Sequence, residues 1–362
     1  MIEPIRIGFI GTSWWMNRIH LPVFKADPRV ELTAICGRNR EHAQEIATKY
    51  GIANVFTDYQ DMVTHADLQA IIIGSPDDLH YPMTMAALDA GLHVLCEKPL
   101  ALNATSAKAM ADRAQANGVR HMVFFVHRWL PNVRYMHELI QEGVLGRIYH
   151  CQFSFLMGGG HNPQYQWRYD RNRANGVLSD LGSHMVDLAR YLVGDITRVN
   201  AHLTTSVQRK GPNNEPFAAA NDSALVLLEF ENGAQGITDV SAITRTEDPV
   251  GEIRIALHGE AGSLAVRTAL GGSLQLRIAK GNAPLQLLEI PERFLTGMDT
   301  TRPYNTQNIS MFIHQPIGGR LFVDSILDNQ PVGPDFYDGW KTEQVVDAAL
   351  AARDLGQRID IQ

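Results

Sequence analysis

Apolar, β-rich runs recur at residues 5–10, 30–36, 70–74, 93–96 and 121–126, and stretches of helical period lie between them at 40–50, 81–90 and 104–117. That alternation predicts a parallel sheet with crossover helices on both faces. Gly51, Gly91 and Gly118 follow three of these helices, where a left-handed C-terminal residue is wanted.

After Pro131 one more helical stretch runs to about residue 142, and the pattern then changes to longer strands at 147–157, 198–208, 224–231, 234–243 and 252–258. Glu231-Asn232-Gly233 and Gly259-Glu260-Ala261-Gly262 supply turn chemistry between such strands. A helix over 178–192 interrupts this region, another closes the chain over 338–355, and 280–306 reads as a loop. The fold class expected is therefore α/β followed by α+β. A Rossmann-type, doubly wound parallel sheet occupies residues 1–127, and a large, mostly antiparallel, open-faced sheet occupies 128–362. A sheet with helices on one face must cover or pair the other, and residues 198–278 alternate imperfectly. A homo-oligomer, dimer or tetramer, stacked through the C-terminal sheet is expected.

Composition narrows the partners. The 39 acidic and 32 basic residues leave a formal charge of −7 with no Lys/Arg block, so neither nucleic acid nor an anionic membrane is a natural partner and a small molecule is expected. Cys36, Cys96 and Cys151 are odd in number, widely spaced and in apolar surroundings, which reads as buried free thiols in a reducing compartment. The first ten residues lack the apolar core of a signal peptide, and no run approaches the ~20 apolar residues of a membrane span. A cytoplasmic protein is expected.

Two strand ends carry chemistry. Gly11-Thr12-Ser13-Trp14-Trp15-Met16 follows the first strand, where a dinucleotide fold sets its Gly-x-Gly-x-x-Gly turn against a pyrophosphate. Only the first glycine is present. Ser13 stands at the second position, and Met16 stands at the third, where its bulk should push the helix outward. The second strand ends in Gly37-Arg38-Asn39-Arg40, with Gly37 in place of the acid that binds a ribose 2′-hydroxyl. Arg38 and Arg40 suit a 2′-phosphate or form a solvated start to the second helix. The fifth strand ends in Cys96-Glu97-Lys98-Pro99, which plants a cationic side chain where an open α/β sheet binds its ligands.

These residues resemble the Gfo/Idh/MocA oxidoreductases over nearly the whole chain. The resemblance rests on Ile7-Gly8-Phe9-Ile10-Gly11, on Ser75-Pro76 with His80, on the run from Ala90 through Glu97-Lys98-Pro99, on Gly176 to Asp187 with its Asp180-x-Gly182-x-His184 core, and on a closing helix after Asp338-Gly339. It implies a pyridine nucleotide, NADP(H) or NAD(H), with Gly11, Thr12, Ser13, Trp14, Arg38, Arg40, Ser75, Pro76, His80, Glu97 and Lys98 as its candidate contacts, and the arginines at the tip of the second strand favour NADP(H) slightly. It also implies His184 as general acid/base, Asp180 holding a substrate hydroxyl or orienting the imidazole, and Lys98 bridging substrate and cofactor.

Oxidation of a secondary alcohol needs a hydride acceptor, a base for the hydroxyl proton, and a positive charge near the oxygen that becomes a carbonyl. Asp180 and His184, four apart on one helix, would share a face, and Asp187 extends it. Those three could ligate a metal, but no second ligand cluster is evident, so no metal is expected and Asp187 is read as holding a helix or loop in place. Glu97 is a buried ion-pair member or a solvated loop acid, and His80 lies near the nicotinamide or acts as a cap. His127 is a candidate substrate contact at a position where the family usually carries asparagine or tyrosine. The stretch from Gly158-Gly159-Gly160 to Asp170 reads as a loop with glycine hinges closing over a hydroxylated ring, with Trp167 and Arg168 as substrate contacts or, for Trp167, a packing residue. The expected substrate is a sugar, inositol or related polyol. An NAD-dependent glycoside hydrolase of the same fold and a non-catalytic sugar- or dinucleotide-sensing regulator are the alternatives.

Overall fold

The structure is a computed structural model that describes residues 3–298 and 304–361. It divides into two compact units, Met1–Phe125 with Asn308–Lys341, and Val126–Gln307 with Thr342–Gln362.

The first unit contains six parallel strands: β1 Ile5–Ile10, β2 Val30–Cys36, β3 Asn54–Phe56, β4 Ala70–Ile73, β5 His93–Cys96 and β6 His121–Val123, in the order β3-β2-β1-β4-β5-β6. Ile7, Phe9, Ile71, Ile72, Val94 and Leu95 are fully buried, as strands covered on both faces require. Gly51, Gly91 and Gly118 all take positive φ after their helices. The three-residue β3 and the helix Tyr59–His65 are too short to leave a periodic signal, and neither was expected.

Residues 308–341, expected with the second domain, pack with the first unit. Isolated aromatic side chains hold them there. Phe312 lies 5.8 Å from Phe124, Phe336 lies 5.0 Å from His121, and Gly319 leaves room for Phe24, whose ring a Cβ would meet at 2.9 Å. The carbonyl of Pro334 accepts the Val123 amide at 3.0 Å, satisfying the edge of β6.

The second unit is built on nine strands: β7 Ile148–Leu156, β8 Ile196–Thr204, β9 Ser223–Phe230, β10 Gln235–Ser241, β11 Glu252–Gly259, β12 Gly262–Ala269, β13 Leu274–Lys280, β14 Gln286–Leu288 and β15 Ile359–Asp360. Their order is β14-β13-β12-β11-β7-β10-β9-β8-β15, antiparallel except where β10 meets β7. The helices Pro131–Gln141 and Gly182–Leu192 bury Val133, Met136, Met185, Val186 and Leu188 against one face. The other face is open: in β9, Ala224, Val226 and Leu228 are buried while Leu225 and Leu227 are 43% and 56% exposed.

Two expectations need correction here. The helix expected over 178–192 is two segments, Val177–Asp180 and Gly182–Leu192, separated at Leu181, so Asp180 and His184 do not share one continuous helix. Gly182 begins the second segment, and a Cβ on it would stand 3.3 Å from the Leu178 Cδ1, a tight contact. The loop expected over 280–306 holds β14 and a helical turn, Glu292–Leu295, and its residues 304–306 begin the helix Tyr304–His314; residues 299–303 lie outside the described residues. Among the described residues, no helix is long and apolar enough to cross a membrane.

Candidate functional site

In the first unit the strand order reverses between β1 and β4, and the carboxyl ends of those strands carry Gly11 and Gly74-Ser75. An open α/β sheet binds ligands at this switch point. Gly11 has φ +113°, and a Cβ on it would stand 2.5 Å from the Gly74 carbonyl oxygen, so the two backbones approach as only glycine allows. The Ser13 hydroxyl accepts the Met16 amide at 3.1 Å and so caps the helix. Met16, whose bulk was expected to push that helix outward, is accommodated against Gly74. It is fully buried, its terminal methyl 2.8 Å from where a Gly74 Cβ would stand, and Met16–His20 winds as a wider π turn. Trp14 is 68% exposed, with the Arg18 guanidinium 5.1 Å from its ring centre.

At the tip of β2, a Cβ on Gly37 would stand 2.5 Å from the Thr12 methyl, so a longer side chain at this position would displace Thr12. Arg38 and Arg40 are exposed, and Asn39 caps the next helix by accepting the His42 amide at 3.0 Å. His42 also brings its Nε2 to 3.2 Å from the Thr12 carbonyl. Sequence reasoning missed His42, since no motif marks it.

Glu97 is buried, which decides between its two readings. The Trp15 indole donates to its Oε1 at 2.6 Å, and His20 Nε2 lies 2.6 Å from the same oxygen. Neither Trp15 nor His20 was singled out from sequence. Lys98 is half-buried and joined to Pro99 by a cis peptide. His80 opens a helix but is no cap: its ring is fully buried, with Nδ1 2.7 Å from the Pro99 carbonyl and Nε2 3.0 Å from that of Ser75. Burial lowers its pKa, with the two carbonyls and Glu97 opposing. Both ring nitrogens face carbonyl oxygens, so whichever carries a proton donates to its carbonyl.

Pro76 continues the turn after Ser75, whose hydroxyl donates to the Pro76 carbonyl at 3.3 Å. All three cysteines are buried free thiols as expected; burial raises Cys36 to about 11, Cys151 to about 12, and Cys96 further still.

In the second unit, His184 and His127 are both buried, with ring centres 4.2 Å apart at 55°, and Phe155 closes against them at 6.3 and 5.3 Å. Arg128 holds Asp187 bidentately, Nε to Oδ2 at 2.9 Å and Nη2 to Oδ1 at 2.5 Å, and covers the Tyr191 ring at 4.7 Å. Asp187 thus ties the 126–129 turn to the helix bearing His184. Among the described residues, no three His, Cys, Asp or Glu are grouped to hold a metal ion.

Asp180 ends its short helix 3.5 Å from Arg168 Nε, and the Arg168 guanidinium lies 4.3 Å from the Trp167 ring centre. Only part of the glycine stretch can hinge. Gly159 faces open space, but a Cβ on Gly160 would stand 2.7 Å from the Tyr169 hydroxyl, and its carbonyl accepts from Arg209. Arg209 and Asp222 form a fully buried ion pair at 3.2 Å, with the guanidinium 3.7 Å from the Tyr169 ring centre. That anchor was not legible in sequence, where an arginine in a polar stretch reads as solvated.

Comparison with known proteins places these features. A family model described as "Oxidoreductase family, NAD-binding Rossmann fold" matches residues 5–125, and one described as "GFO/IDH/MocA C-terminal domain" matches 133–265. The chain belongs to the Gfo/Idh/MocA oxidoreductases. It is 27% identical to levoglucosan dehydrogenase of Pseudarthrobacter phenanthrenivorans, covering 99% of each chain. It is 30% identical to scyllo-inositol 2-dehydrogenase (NADP(+)) of Bacillus subtilis over 73% of this chain and 76% of that one. A solved levoglucosan dehydrogenase in complex with NADH and levoglucosan superposes with a TM-score of 0.88 at 26% identity, covering 99% of this chain and 100% of the other.

Proposed function

We propose that this Gfo/Idh/MocA chain is an NAD(P)-dependent dehydrogenase that oxidises a secondary alcohol of a sugar, inositol or related polyol. The bound nicotinamide supplies the hydride acceptor. In this reading His184 takes the hydroxyl proton, Lys98 supplies positive charge for the oxygen that becomes a carbonyl, Asp180 and Arg168 bind hydroxyls, and Trp167 offers a ring face. His127 borders the imidazole of His184.

The observation that carries this reading is local to the first unit: the helix following the dinucleotide loop bonds, through Trp15 and His20, to the residue preceding Lys98. The loop at the switch point and the cationic strand end are thereby one construction, and the glycine cradle fits a dinucleotide. Fluorescence on adding NADH or NADPH, followed by absorbance of the reduced cofactor with a polyol panel, tests the reading. Binding without turnover, unchanged by Lys98→Ala, would identify a sensor instead.

The tip of β2 supports NADP(H) as the preferred cofactor. Gly37 presents no carboxylate to a ribose 2′-hydroxyl, and Arg38 and Arg40 stand exposed beside it. Arg38→Ala is expected to raise KM for NADP about tenfold, a loss of the order of one charge-assisted hydrogen bond, and to leave KM for NAD unchanged. An equal change for both cofactors would remove Arg38 from the 2′-phosphate.

The open sheet face, with Leu225 and Leu227 exposed side by side on β9, supports association through a second copy of that face. Leu227→Glu is expected to convert the oligomer to monomer in analytical ultracentrifugation. A parent that sediments as a monomer refutes the association.

A further inference from the structure

We infer that Lys98 is positioned from both sides by buried histidines, His20 acting through Glu97 and His80 acting through Pro99. The kinetic arm of this inference rests on the dehydrogenase reading; the geometric arm does not.

The two neighbours of Lys98 in the chain are each held by an imidazole. On one side, the indole of Trp15 can only donate, so Glu97 Oε1 accepts from it, and His20 Nε2 stands 2.6 Å from the same oxygen. His20 is itself fixed, 1% exposed, with its ring 4.6 Å from that of Phe124. The other carboxylate oxygen receives the Lys98 amide at 3.3 Å. On the far side, His80 Nδ1 lies 2.7 Å from the Pro99 carbonyl oxygen, and its Nε2 lies 3.0 Å from that of Ser75, just past the end of the neighbouring strand β4. The peptide carrying Lys98 is thus tied to the helix after the dinucleotide loop and to the turn after β4, the two segments that border the switch point.

None of these three side chains reaches solvent appreciably, and the Glu97 and His80 polar atoms are spent on protein partners. They are therefore positioning residues, and Glu97 and His80 act on the cofactor and substrate only through where they set Lys98 and the adjoining turns. A displaced ammonium loses its interaction with charge that develops on the substrate oxygen more than it loses ground-state binding, so kcat should fall while KM changes little.

The test compares His20→Leu, which keeps bulk and burial, with His20→Gln, whose amide can donate from near the Nε2 position. Glu97→Gln removes the charge and exchanges one acceptor oxygen for an NH2 donor. Steady-state kinetics, NADH binding by fluorescence, and the acetylation rate of Lys98 relative to exposed Lys108, read by mass spectrometry, are measured on each. His20→Leu and Glu97→Gln are expected to lose at least fivefold in kcat with KM and NADH affinity within threefold of the parent. His20→Gln is expected to recover to within threefold of the parent in kcat, and Lys98 acetylation to shift at least twofold in the Leu variant and return in the Gln variant. Equal loss in Leu and Gln variants, or Lys98 labelling that does not change in any of them, overturns the inference. If the parent turns over no polyol, the dehydrogenase reading fails while the labelling still decides the positioning. Should His20→Leu fail to fold, Glu97→Gln and His80→Gln carry the same comparison.

Discussion

Lys98→Ala is expected to lower kcat/KM for polyol oxidation by about a thousandfold, the scale seen when one preorganised donor to developing charge is removed. The side chain leaves the carboxyl end of β5, where the sheet presents its ligands, and the residue before it is bonded to the helix that follows the dinucleotide loop. On the proposed role, a charge held there before the reaction would need no reorganisation as the oxygen becomes electron-rich. Lys98→Arg should not restore the rate, because a planar guanidinium cannot place a compact charge at the same point. Affinity for NADH should stay within a few-fold, since the switch-point contacts at Gly11 and Ser13 are untouched. Stopped-flow absorbance with saturating polyol and cofactor measures the loss. A variant within tenfold of the parent rate would refute any direct part for Lys98 in the chemistry.

The first sheet was readable because its strands are apolar runs buried on both faces, and the helix boundaries at Arg40–Tyr50 and Ala104–Asn117 were marked by asparagine before and glycine after. What was not readable is instructive. Residues 308–341 pack with the first unit through Phe312, Gly319 and Phe336, and periodicity reports which face of an element is apolar without saying what covers it. Met16 looked like a defect in the glycine fingerprint, yet it fits because Gly74, distant in sequence, leaves the space. Large residues at a small-residue position cannot be judged from one strand alone.

The same limit applies to the polar residues. Motif spacing led to Lys98, Asp180 and His184, but the side chains that surround them were hidden. His20 is buried on its helix and reads as core, Trp15 stands half-buried at that helix's start, and Arg209 lies in a stretch with no regular structure. Each is defined by a partner far along the chain, Glu97 for the first two and Asp222 for the third. A buried Arg–Asp pair is costly to break from one side, so Arg209 and Asp222 hold the 158–170 loop more firmly than its glycines suggest. Trp167 and Arg168 therefore belong to a segment anchored at Gly160 and Tyr169.

His184→Ala is expected to lower kcat by 10²- to 10⁴-fold, the range associated with loss of a positioned general base. The imidazole is 5% exposed and wedged between His127 and Phe155, so the substitution leaves a compact void beside the second histidine. That geometry makes chemical rescue possible: added imidazole can enter the void and accept the hydroxyl proton. Rate recovery that rises with imidazole concentration, and does not occur with an apolar molecule of similar size, assigns proton transfer to this position rather than packing. His127→Asn is the necessary companion, because its ring stands only 4.2 Å away and could serve in place of its neighbour. The expected result is a loss of no more than about tenfold for His127→Asn, with the acidic limb of the kcat/KM profile preserved, while His184→Ala abolishes that limb. The reverse pattern, an active His184→Ala and an inactive His127→Asn, transfers the base to His127 and leaves His184 as its support.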